Sequence, residues 1–205
     1  MPVFYKNKLN EHCEILIWKI EEDESYFTQF VQATSKISNL QKRLQHLAGR
    51  YALIQLQQDF PLESIVILNS KKPVLNNGLY HFSISHCKNL AAAIIHNQNN
   101  VGIDIEYHTP KTDRVKHKFV NEHEALLLEN LPGIFVTVFW STKESMFKWL
   151  NDTGVDFKEH LLIKSVVPDS LNTGTITVIY NREIQTEATI HYIYWHDFVL
   201  TYTIQ

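Results

Sequence analysis

One amphipathic helix constrains the fold of this chain more than any other segment. Apolar residues recur at alternating steps of three and four over residues 37–54, a spacing that places them on one side of a helix. Ser35 stands just before this stretch and can cap its first turn. The sequence therefore predicts a helix that buries one face, formed by Ile37, Leu40, Leu44, Leu47, Tyr51 and Ile54.

Strand patterns lie on both sides of this helix in the sequence. Period-two alternation and β-branched residues predict strands at 13–20, 64–68, 81–86 and 90–96, and a later meander at 161–167, 173–180, 187–195 and 198–204. Further helices are predicted at 114–120, 121–131 and 139–150. The polar run Asn97-Gln98-Asn99-Asn100 marks a boundary between residues 1–99 and 100–205. Interleaved helices and strands in both halves predict an α+β fold.

Composition limits the classes of partner and compartment. The 205 residues are 44% hydrophobic, enough for one core or two small packed halves. A net charge of −3 argues against general attraction to nucleic acid or acidic membrane, so any anion site must be local. Two cysteines without a C-x-x-C arrangement fit a reduced compartment. Because no signal peptide or membrane-spanning run is evident, we expect a cytoplasmic protein.

The strand Val101-Gly102-Ile103-Asp104-Ile105-Glu106 carries two acids on one face. Side chains two apart in a strand point the same way, so Asp104 and Glu106 are neighbours. At a separation of about 5 Å and an effective dielectric near 20, their repulsion is roughly 3 kcal/mol. A divalent cation such as Mg²⁺ would relieve this repulsion. The alternative is an exposed edge strand with two solvated acids.

A third acid lies on the predicted helix at residues 139–150. Glu144 and Lys148 are four residues apart and therefore share one helix face. An ordinary surface ion pair, worth about 0.3–0.5 kcal/mol, would explain this spacing equally well.

The two motifs together resemble one protein family. G-I-D-I-E at residues 102–106, followed by W-S-T-K-E-S-x-x-K at 140–148, is similar to the phosphopantetheinyl transferases, specifically the longer monomeric type. The resemblance implies two ferredoxin-like halves with pseudo-twofold symmetry and an active site in the cleft between them. It also implies Mg²⁺-dependent transfer of 4′-phosphopantetheine from coenzyme A to a serine of an apo acyl or peptidyl carrier protein, releasing adenosine 3′,5′-bisphosphate.

The same resemblance assigns roles around the acids. Asp104, Glu106 and Glu144 would be ligands of Mg²⁺, with Mn²⁺ as the alternative metal. Glu144 would also deprotonate the acceptor serine, directly or through a metal-bound water. Lys148 would stabilise charge on the phosphates, and Lys143 would assist. A further acid near Glu122 is implied on the metal-bearing side.

Residues of the first half would hold the phosphates of the donor. Lys36, Arg43 and Arg50 are spaced by seven along one edge of the amphipathic helix, although basic residues there also commonly extend over an apolar stripe into water. The segment L-A-G-R-Y-A-L resembles the family helix whose arginine contacts the 3′-phosphate. Lys72-Pro73 resembles a G-K-P element without its glycine, and Ser85-His86 matches a phosphate-contacting serine and histidine. The coenzyme-binding residues predicted in this way are Arg43, Arg50, Lys72, Ser85, His86 and Lys143.

Two other functional classes use the same features. A metal-dependent phosphohydrolase acting on coenzyme A or nucleotides could be built on the same three acids. A non-catalytic protein that binds coenzyme A or a carrier protein would be expected to lack an acid or the lysine, and all four are present here. Two halves in one chain make a monomer sufficient, and the sequence does not identify the carrier.

Overall fold

The computed structural model describes residues 2–32, 37–182 and 184–205. The chain divides into two compact units, Met1–Val101 and Gly102–Gln205. This division falls two residues after the boundary predicted from the sequence at residues 99 and 100. The structure is 29% helical and 37% strand, which agrees with the predicted α+β class.

The first unit packs helices against a four-stranded sheet. Its elements are β1 (Val3–Asn10), β2 (Cys13–Lys19), α1 (Glu24–Phe27), α2 (Leu40–Leu56), β3 (Ile65–Ile67), β4 (Pro73–Leu75), β5 (His81–Cys87) and β6 (Leu90–His96), with a 3₁₀ turn at Leu62–Ser64. The sheet order is β1-β2-β6-β5, and its pairings are antiparallel. Strands β3 and β4 form a separate hairpin.

Helix α2 closes the core of the first unit. Leu47, Tyr51 and Leu53 are buried against the sheet, where the alanines of β6 leave room for the helix to approach. Of the predicted apolar stripe, Leu47 and Tyr51 are buried and Leu44 and Ile54 are half-buried. Its start is wrong, because Ile37 lies before the helix and Leu40 is 55% exposed. The helix begins at Leu40 because the Asn39 side chain accepts a hydrogen bond from the Lys42 backbone nitrogen at 3.0 Å. The predicted cap, Ser35, lies outside the described residues.

The second unit packs one long helix against a five-stranded sheet. Its elements are β7 (Val101–Tyr107), α3 (Pro110–Val115), a 3₁₀ turn at Lys116–Lys118, α4 (Glu122–Glu129), α5 (Phe135–Leu150), β8 (Leu161–Pro168), β9 (Thr173–Tyr180), β10 (Thr186–Tyr194) and β11 (Phe198–Ile204). The strand order is β7-β11-β10-β9-β8. Phe139 and Met146 of α5 are buried in one core with Ile190 of β10 and Val199 of β11.

Helix α5 extends further toward its N-terminus than the sequence predicts. It begins at Phe135 rather than Phe139, and Ile134 in the preceding position provides no side-chain cap. Without a capping residue, the sequence offers only Pro132-Gly133 as a boundary. The helix ends at Leu150, and the capping residue that follows, Asn151, has a φ of 56°. Asparagine tolerates this left-handed conformation better than most residues.

The hydroxyl of Thr142 in α5 is buried and has no hydrogen-bond partner among the described residues. An unsatisfied buried hydroxyl costs about 1–3 kcal/mol. We therefore expect Thr142→Val, which preserves the shape of the side chain, to raise the free energy of unfolding by about 1–2 kcal/mol in urea titrations.

Thr201 of β11 provides a matched control for this substitution. Its hydroxyl donates to the Ser141 carbonyl oxygen at 2.8 Å. Because a made hydrogen bond is lost, Thr201→Val should destabilise the protein. If the free energy of unfolding falls in both variants, the Thr142 hydroxyl must make a hydrogen bond in the folded protein.

In the described part of the chain, the helices fall short of the length and apolarity that a membrane crossing requires.

Candidate active site

The close approach of β7 and α5 brings the predicted acidic residues together. A Cβ atom placed on Gly102 would lie 2.1 Å from the Ser145 carbonyl oxygen and 3.0 Å from the Trp149 Cβ atom. Only a residue without a side chain allows the strand and the helix to lie this close. Asp104 and Glu106 share the face of Gly102 on β7, so they point toward α5.

Asp104 is fixed by two side chains of α5. The Lys148 ammonium lies 2.6 Å from one carboxylate oxygen, and the Ser141 hydroxyl donates to the other at 2.8 Å. Asp104 is 2% exposed, and the Lys148 side chain is 24% exposed. The ammonium of Lys148 therefore compensates a nearly buried negative charge while one side of it still faces solvent.

Glu106 and Glu144 lie close enough to Asp104 for its negative charge to raise their pKa values. Burial, followed by repulsion from Asp104, raises the pKa of Glu106 to about 7, although a hydrogen bond from the Trp140 indole (3.2 Å) and the charge of Lys148 oppose this shift. Burial, and again the charge of Asp104, raises the pKa of Glu144 to about 7 against the effect of Lys148. The three acids therefore lie close enough to influence one another's ionisation.

The donor chemistry of this acidic group fits a hard divalent cation. Three carboxylates are the oxygen ligands that Mg²⁺ and Mn²⁺ prefer. Among the described residues, however, no three acidic, histidine or cysteine side chains already stand in a metal-holding arrangement. Instead, Asp104 contacts Lys148, and Glu106 accepts a hydrogen bond from Trp140. Metal ligation by Asp104, Glu106 and Glu144 therefore stays a prediction that requires their side chains to turn.

Lys143 is buried in an ion pair in this structure, and the coenzyme-binding role predicted for it stays a prediction. Its side chain and that of Glu124 are both 0% exposed and form an ion pair at 2.8 Å. Burial lowers the pKa of Lys143, while the charge of Glu124 opposes the shift. The sequence did not predict this ion pair. Lys143 directly precedes Glu144 in the motif, so it was assigned to the same site as Glu144. The resemblance also implies an acid near Glu122. Glu122 itself is exposed, whereas Glu124, two residues later on α4, is buried.

Arg50 lies in a group of basic side chains in the first unit. One guanidinium nitrogen of Arg50 lies 3.0 Å from Nδ1 of His46. Burial, together with the charges of Arg50 and His86, lowers the pKa of His46 to about 4. Because arginine can only donate, the neutral imidazole of His46 accepts at Nδ1 and carries its proton on Nε2. Arg50 also borders a cavity of about 460 Å³.

His46 is a candidate site residue that our sequence interpretation missed. It lies four positions before Arg50, so the two side chains neighbour each other on one face of α2. The spacing of four residues between His46 and Arg50 could have indicated that they are neighbours. The sequence interpretation instead followed the apolar stripe of this helix. The helix reaches β5 closely because Gly49 lies against Ile84, where an added Cβ atom would be 2.6 Å from a methyl group.

The other predicted donor-binding residues occupy different parts of the first unit. Ser85 is buried and His86 is exposed on β5. Lys72 lies in the turn between β3 and β4, where Lys71 has a φ of 67°. Half-burial lowers the pKa of Lys72 to about 8. Electrostatic contact joins Arg50, His46 and His86, and the donor-binding role of each residue stays a prediction.

Arg43 has a structural partner in this structure, and its predicted role as a coenzyme ligand stays a prediction. Two of its guanidinium nitrogens donate to the two carboxylate oxygens of Glu24 at 2.9 and 2.8 Å. A third contact reaches the Ile37 carbonyl oxygen at 3.0 Å. This bidentate pair links α2 to α1. It occupies two of the N–H donors with which the guanidinium could bind a phosphate. Lys36, which the sequence predicts on the same edge, lies outside the described residues.

Comparison with known proteins points to one family. The family model of the 4′-phosphopantetheinyl transferase superfamily matches residues 100–203, slightly more than half of the chain. The chain is also similar to enterobactin synthase component D of Salmonella typhi and of Salmonella typhimurium. Each is 32% identical over 117 residues, which cover 54% of this chain and 49% of the relative. The chain thus spans about half the length of these curated relatives. The chain belongs to the 4′-phosphopantetheinyl transferase superfamily.

Proposed function

We propose that this chain transfers the 4′-phosphopantetheine group of coenzyme A to a serine of an apo acyl or peptidyl carrier protein. The serine oxygen attacks the phosphorus next to pantetheine, the bond to the second phosphate breaks, and adenosine 3′,5′-bisphosphate leaves. The observation that carries this proposal is the coupled group of Asp104, Glu106, Glu144 and Lys148, which lies within the segment matched by the family.

Glu144 is the proposed general base for the acceptor serine. A base is most effective when its pKa lies near the working pH, and the pKa of Glu144 is raised to about 7. Lys148 is the proposed electrostatic partner of the reacting phosphates because its ammonium is partly exposed beside Asp104.

Asp104, Glu106 and Glu144 are the residues that would hold Mg²⁺ or Mn²⁺. Members of the family typically use a divalent metal with coenzyme A as substrate. A bound divalent ion would neutralise charge on the diphosphate of the donor. The carboxylates must then be ionised, so their raised pKa values make occupancy of the site depend on pH.

The phosphates of the donor are proposed to bind the basic residues of the first unit. Arg50 and His46 present a guanidinium and an imidazole N–H next to each other, a pair of donors suited to a phosphate. The cavity of about 460 Å³ beside Arg50 lies in the usual size range of small-molecule sites, about 300–1,000 Å³. Lys72, Ser85 and His86 complete the proposed set.

A basic segment of the second unit supports an acidic protein partner. Four cationic side chains on α3 and the 3₁₀ turn that follows it are exposed: Lys111, Arg114, Lys116 and Lys118. Leu126 of α4, soon after them in the sequence, is 61% exposed. Positive charge with an apolar contact suits the acidic helix that follows the modified serine of a carrier protein.

We further propose the properties that the resemblance to the family implies for the whole protein. These are the ferredoxin-like form of each half, the cytoplasmic location and the monomeric state. The first half is proposed to bind donor phosphates, and the second to hold the metal and the catalytic residues.

The test of the proposed function is a transfer reaction with labelled coenzyme A. The purified protein is incubated with Mg²⁺ and a panel of apo carrier proteins of fatty-acid, peptide and polyketide type, and mass spectrometry detects the added phosphopantetheine. A transferase modifies at least one carrier. Release of phosphate or bisphosphate without a carrier would identify a phosphohydrolase, and tight coenzyme binding without either reaction would identify a binding protein.

Removing the Arg50 side chain should weaken donor binding. We expect Arg50→Ala to raise the KM for coenzyme A by roughly 10- to 100-fold, the equivalent of a charged hydrogen bond of about 1.5–3 kcal/mol. The kcat should change little because this contact is remote from the reacting phosphorus. Lys42→Ala, at an exposed position of the same helix, is the control and should leave KM unchanged. A fall in kcat alone would refute the anchoring role of Arg50.

Divalent metal affinity should rise with pH through neutrality. The pKa values of Glu106 and Glu144 are raised to about 7, so the folded protein holds protons that the metal must displace. Each group contributes up to about tenfold in affinity per pH unit below its pKa. We therefore expect the Mg²⁺-induced rise in Tm to be negligible at pH 5.5 and constant above about pH 8.

A variant with both Glu106→Gln and Glu144→Gln is the control for this pH dependence. It should show no Mg²⁺-induced rise in Tm at any pH because both titrating ligands are absent. An equal rise in the native protein at pH 5.5 and 8.5 would contradict the proposed ligands.

A further inference from the structure

Lys143 lies at the centre of a buried polar cluster in the second unit. Its ammonium lies 2.8 Å from the Glu124 carboxylate and donates to the carbonyl oxygens of Phe119 at 2.6 Å and Phe157 at 2.8 Å. These three contacts use all three donors of the ammonium group. The lysine therefore ties together α4, α5 and the segment that leads to β8.

The two carbonyl groups belong to the residues whose rings contact Trp140. The ring centroid of Trp140 lies 5.1 Å from that of Phe119 and 5.4 Å from that of Phe157. The indole nitrogen of Trp140 donates to Glu106 at 3.2 Å. One series of contacts thus runs from the Lys143 ammonium, through two backbone carbonyls and their rings, to a carboxylate of the acidic group.

Both aromatic residues lie in irregular segments. Phe119 follows the 3₁₀ turn at Lys116–Lys118, and Phe157 lies in a turn between α5 and β8. The Phe119 amide donates to the Lys116 carbonyl oxygen at 3.0 Å, and both rings pack in the core of the second unit. The ammonium contacts add a polar restraint on the two carbonyl groups. Trp140 itself begins the helical turn that carries Glu144, which makes its ring part of the wall of the site.

We propose that Lys143 is a positioning residue whose buried ammonium sets the Phe119 and Phe157 rings, and through them the Trp140 indole and the Glu106 carboxylate. The geometric part of this inference concerns the protein alone. Its consequence for cation binding rests on the proposed function. Residues that orient metal ligands typically change metal affinity by about 10- to 100-fold when they are replaced.

The first readout is the indole N–H signal of Trp140 in ¹⁵N–¹H NMR spectra. Trp140→Phe identifies the signal by its loss. Lys143→Met combined with Glu124→Gln removes both charges, because removing the lysine alone would leave a buried unpaired carboxylate. In this double variant we expect the signal to move toward that of a solvent-exposed indole and its hydrogen exchange to accelerate at least tenfold. An unchanged signal in the folded double variant would overturn the proposal.

The second readout is the affinity for Mn²⁺, measured from the signal of the free ion in electron paramagnetic resonance. The double variant and Trp140→Phe should each bind Mn²⁺ about tenfold more weakly. The combined triple variant should lose less than twofold more, because Lys143 acts through Trp140. If the losses of Mn²⁺ affinity multiply in the triple variant, the proposal that Lys143 acts through Trp140 is overturned. If the native protein binds no Mn²⁺ but the indole signal moves as expected, the positioning role holds and the metal part of the proposed function fails.

Two further variants keep the inference testable. Thr142→Val changes a buried residue next to Lys143 and should leave the Trp140 signal in place. Phe157→Leu retains the carbonyl that Lys143 contacts but removes one of the two rings. If the charge-removing variant fails to fold, Phe157→Leu provides the decision: a displaced Trp140 signal supports the inference, and an unchanged one overturns it.

Discussion

Glu144→Gln is expected to lower the rate of phosphopantetheine transfer by about 10²- to 10⁴-fold, the usual contribution of a general base. The substitution keeps the size of the side chain but removes both its basicity and one proposed metal ligand. The measurement is the mass change of an apo carrier protein with coenzyme A and Mg²⁺. A turnover within threefold of the native rate would reject both roles of Glu144.

The same substitution should not cost stability. The pKa of Glu144 is raised to about 7 in the folded protein, above the ordinary value of 4.5. An acid whose pKa is raised by folding reduces stability as the pH rises from about 5 to above 7, because the folded state disfavours the charged form. We therefore expect Glu144→Gln to have an equal or higher Tm than the native protein at pH 8.5 in the absence of metal.

Glu129→Gln is a suitable control because Glu129 is an exposed acid at the end of α4. It should retain native transfer and a native Tm. Loss of both activity and stability in Glu144→Gln would instead indicate a structural role for the carboxylate.

Gly102→Ala is expected to disrupt the acidic group from a position that carries no charge. The added Cβ atom would lie 2.1 Å from the Ser145 carbonyl oxygen, so backbone must move. Overpacking usually costs about 1–3 kcal/mol, and a clash with backbone belongs at or above the upper end of that range. We expect the free energy of unfolding in urea to fall by about 3 kcal/mol or more.

Displacement of β7 from α5 should also reduce activity. The Lys148 ammonium would no longer lie 2.6 Å from Asp104, and transfer by the folded fraction should fall at least tenfold. Gly133→Ala is the matched control, because no atom of the described residues lies within 4 Å of its added Cβ and its backbone is not left-handed. Native stability in Gly102→Ala would show that β7 and α5 are not held by this contact.

The sequence predicted most strands of both sheets. The bounds of β6, β9 and β11 agree with the predicted ranges, because alternation and β-branched residues are strong local signals. It did not reveal β1, whose residues are mostly exposed on both faces and therefore show no period-two pattern. Pairing with β2 defines that strand, and such pairing is not a local property of its residues.

The candidate site was predicted through spacing within single elements. Asp104 and Glu106 share a face of β7, and Glu144 and Lys148 share a face of α5, as their separations in sequence require. The pairing of Lys148 with Asp104 across two elements could not be read in this way.

Two residues that the sequence predicts to bind the coenzyme have ion-pair partners that are distant in sequence. Arg43 pairs with Glu24, nineteen residues earlier, and Lys143 pairs with Glu124, nineteen residues earlier. A basic residue beside a motif has the same local pattern whether it faces a phosphate or a buried carboxylate. Only the tertiary structure separates these cases.

The half-buried ammonium of Lys72 has a consequence for chemical labelling. With a pKa lowered to about 8, roughly a tenth of this side chain is a free amine at pH 7, against less than about a thousandth for an ordinary lysine. The pKa of Lys143 is also lowered, but that side chain is inaccessible to reagents. Mild acylation near neutral pH should therefore mark Lys72 early, and protection of this amine by an added ligand would report occupancy of the β3–β4 turn.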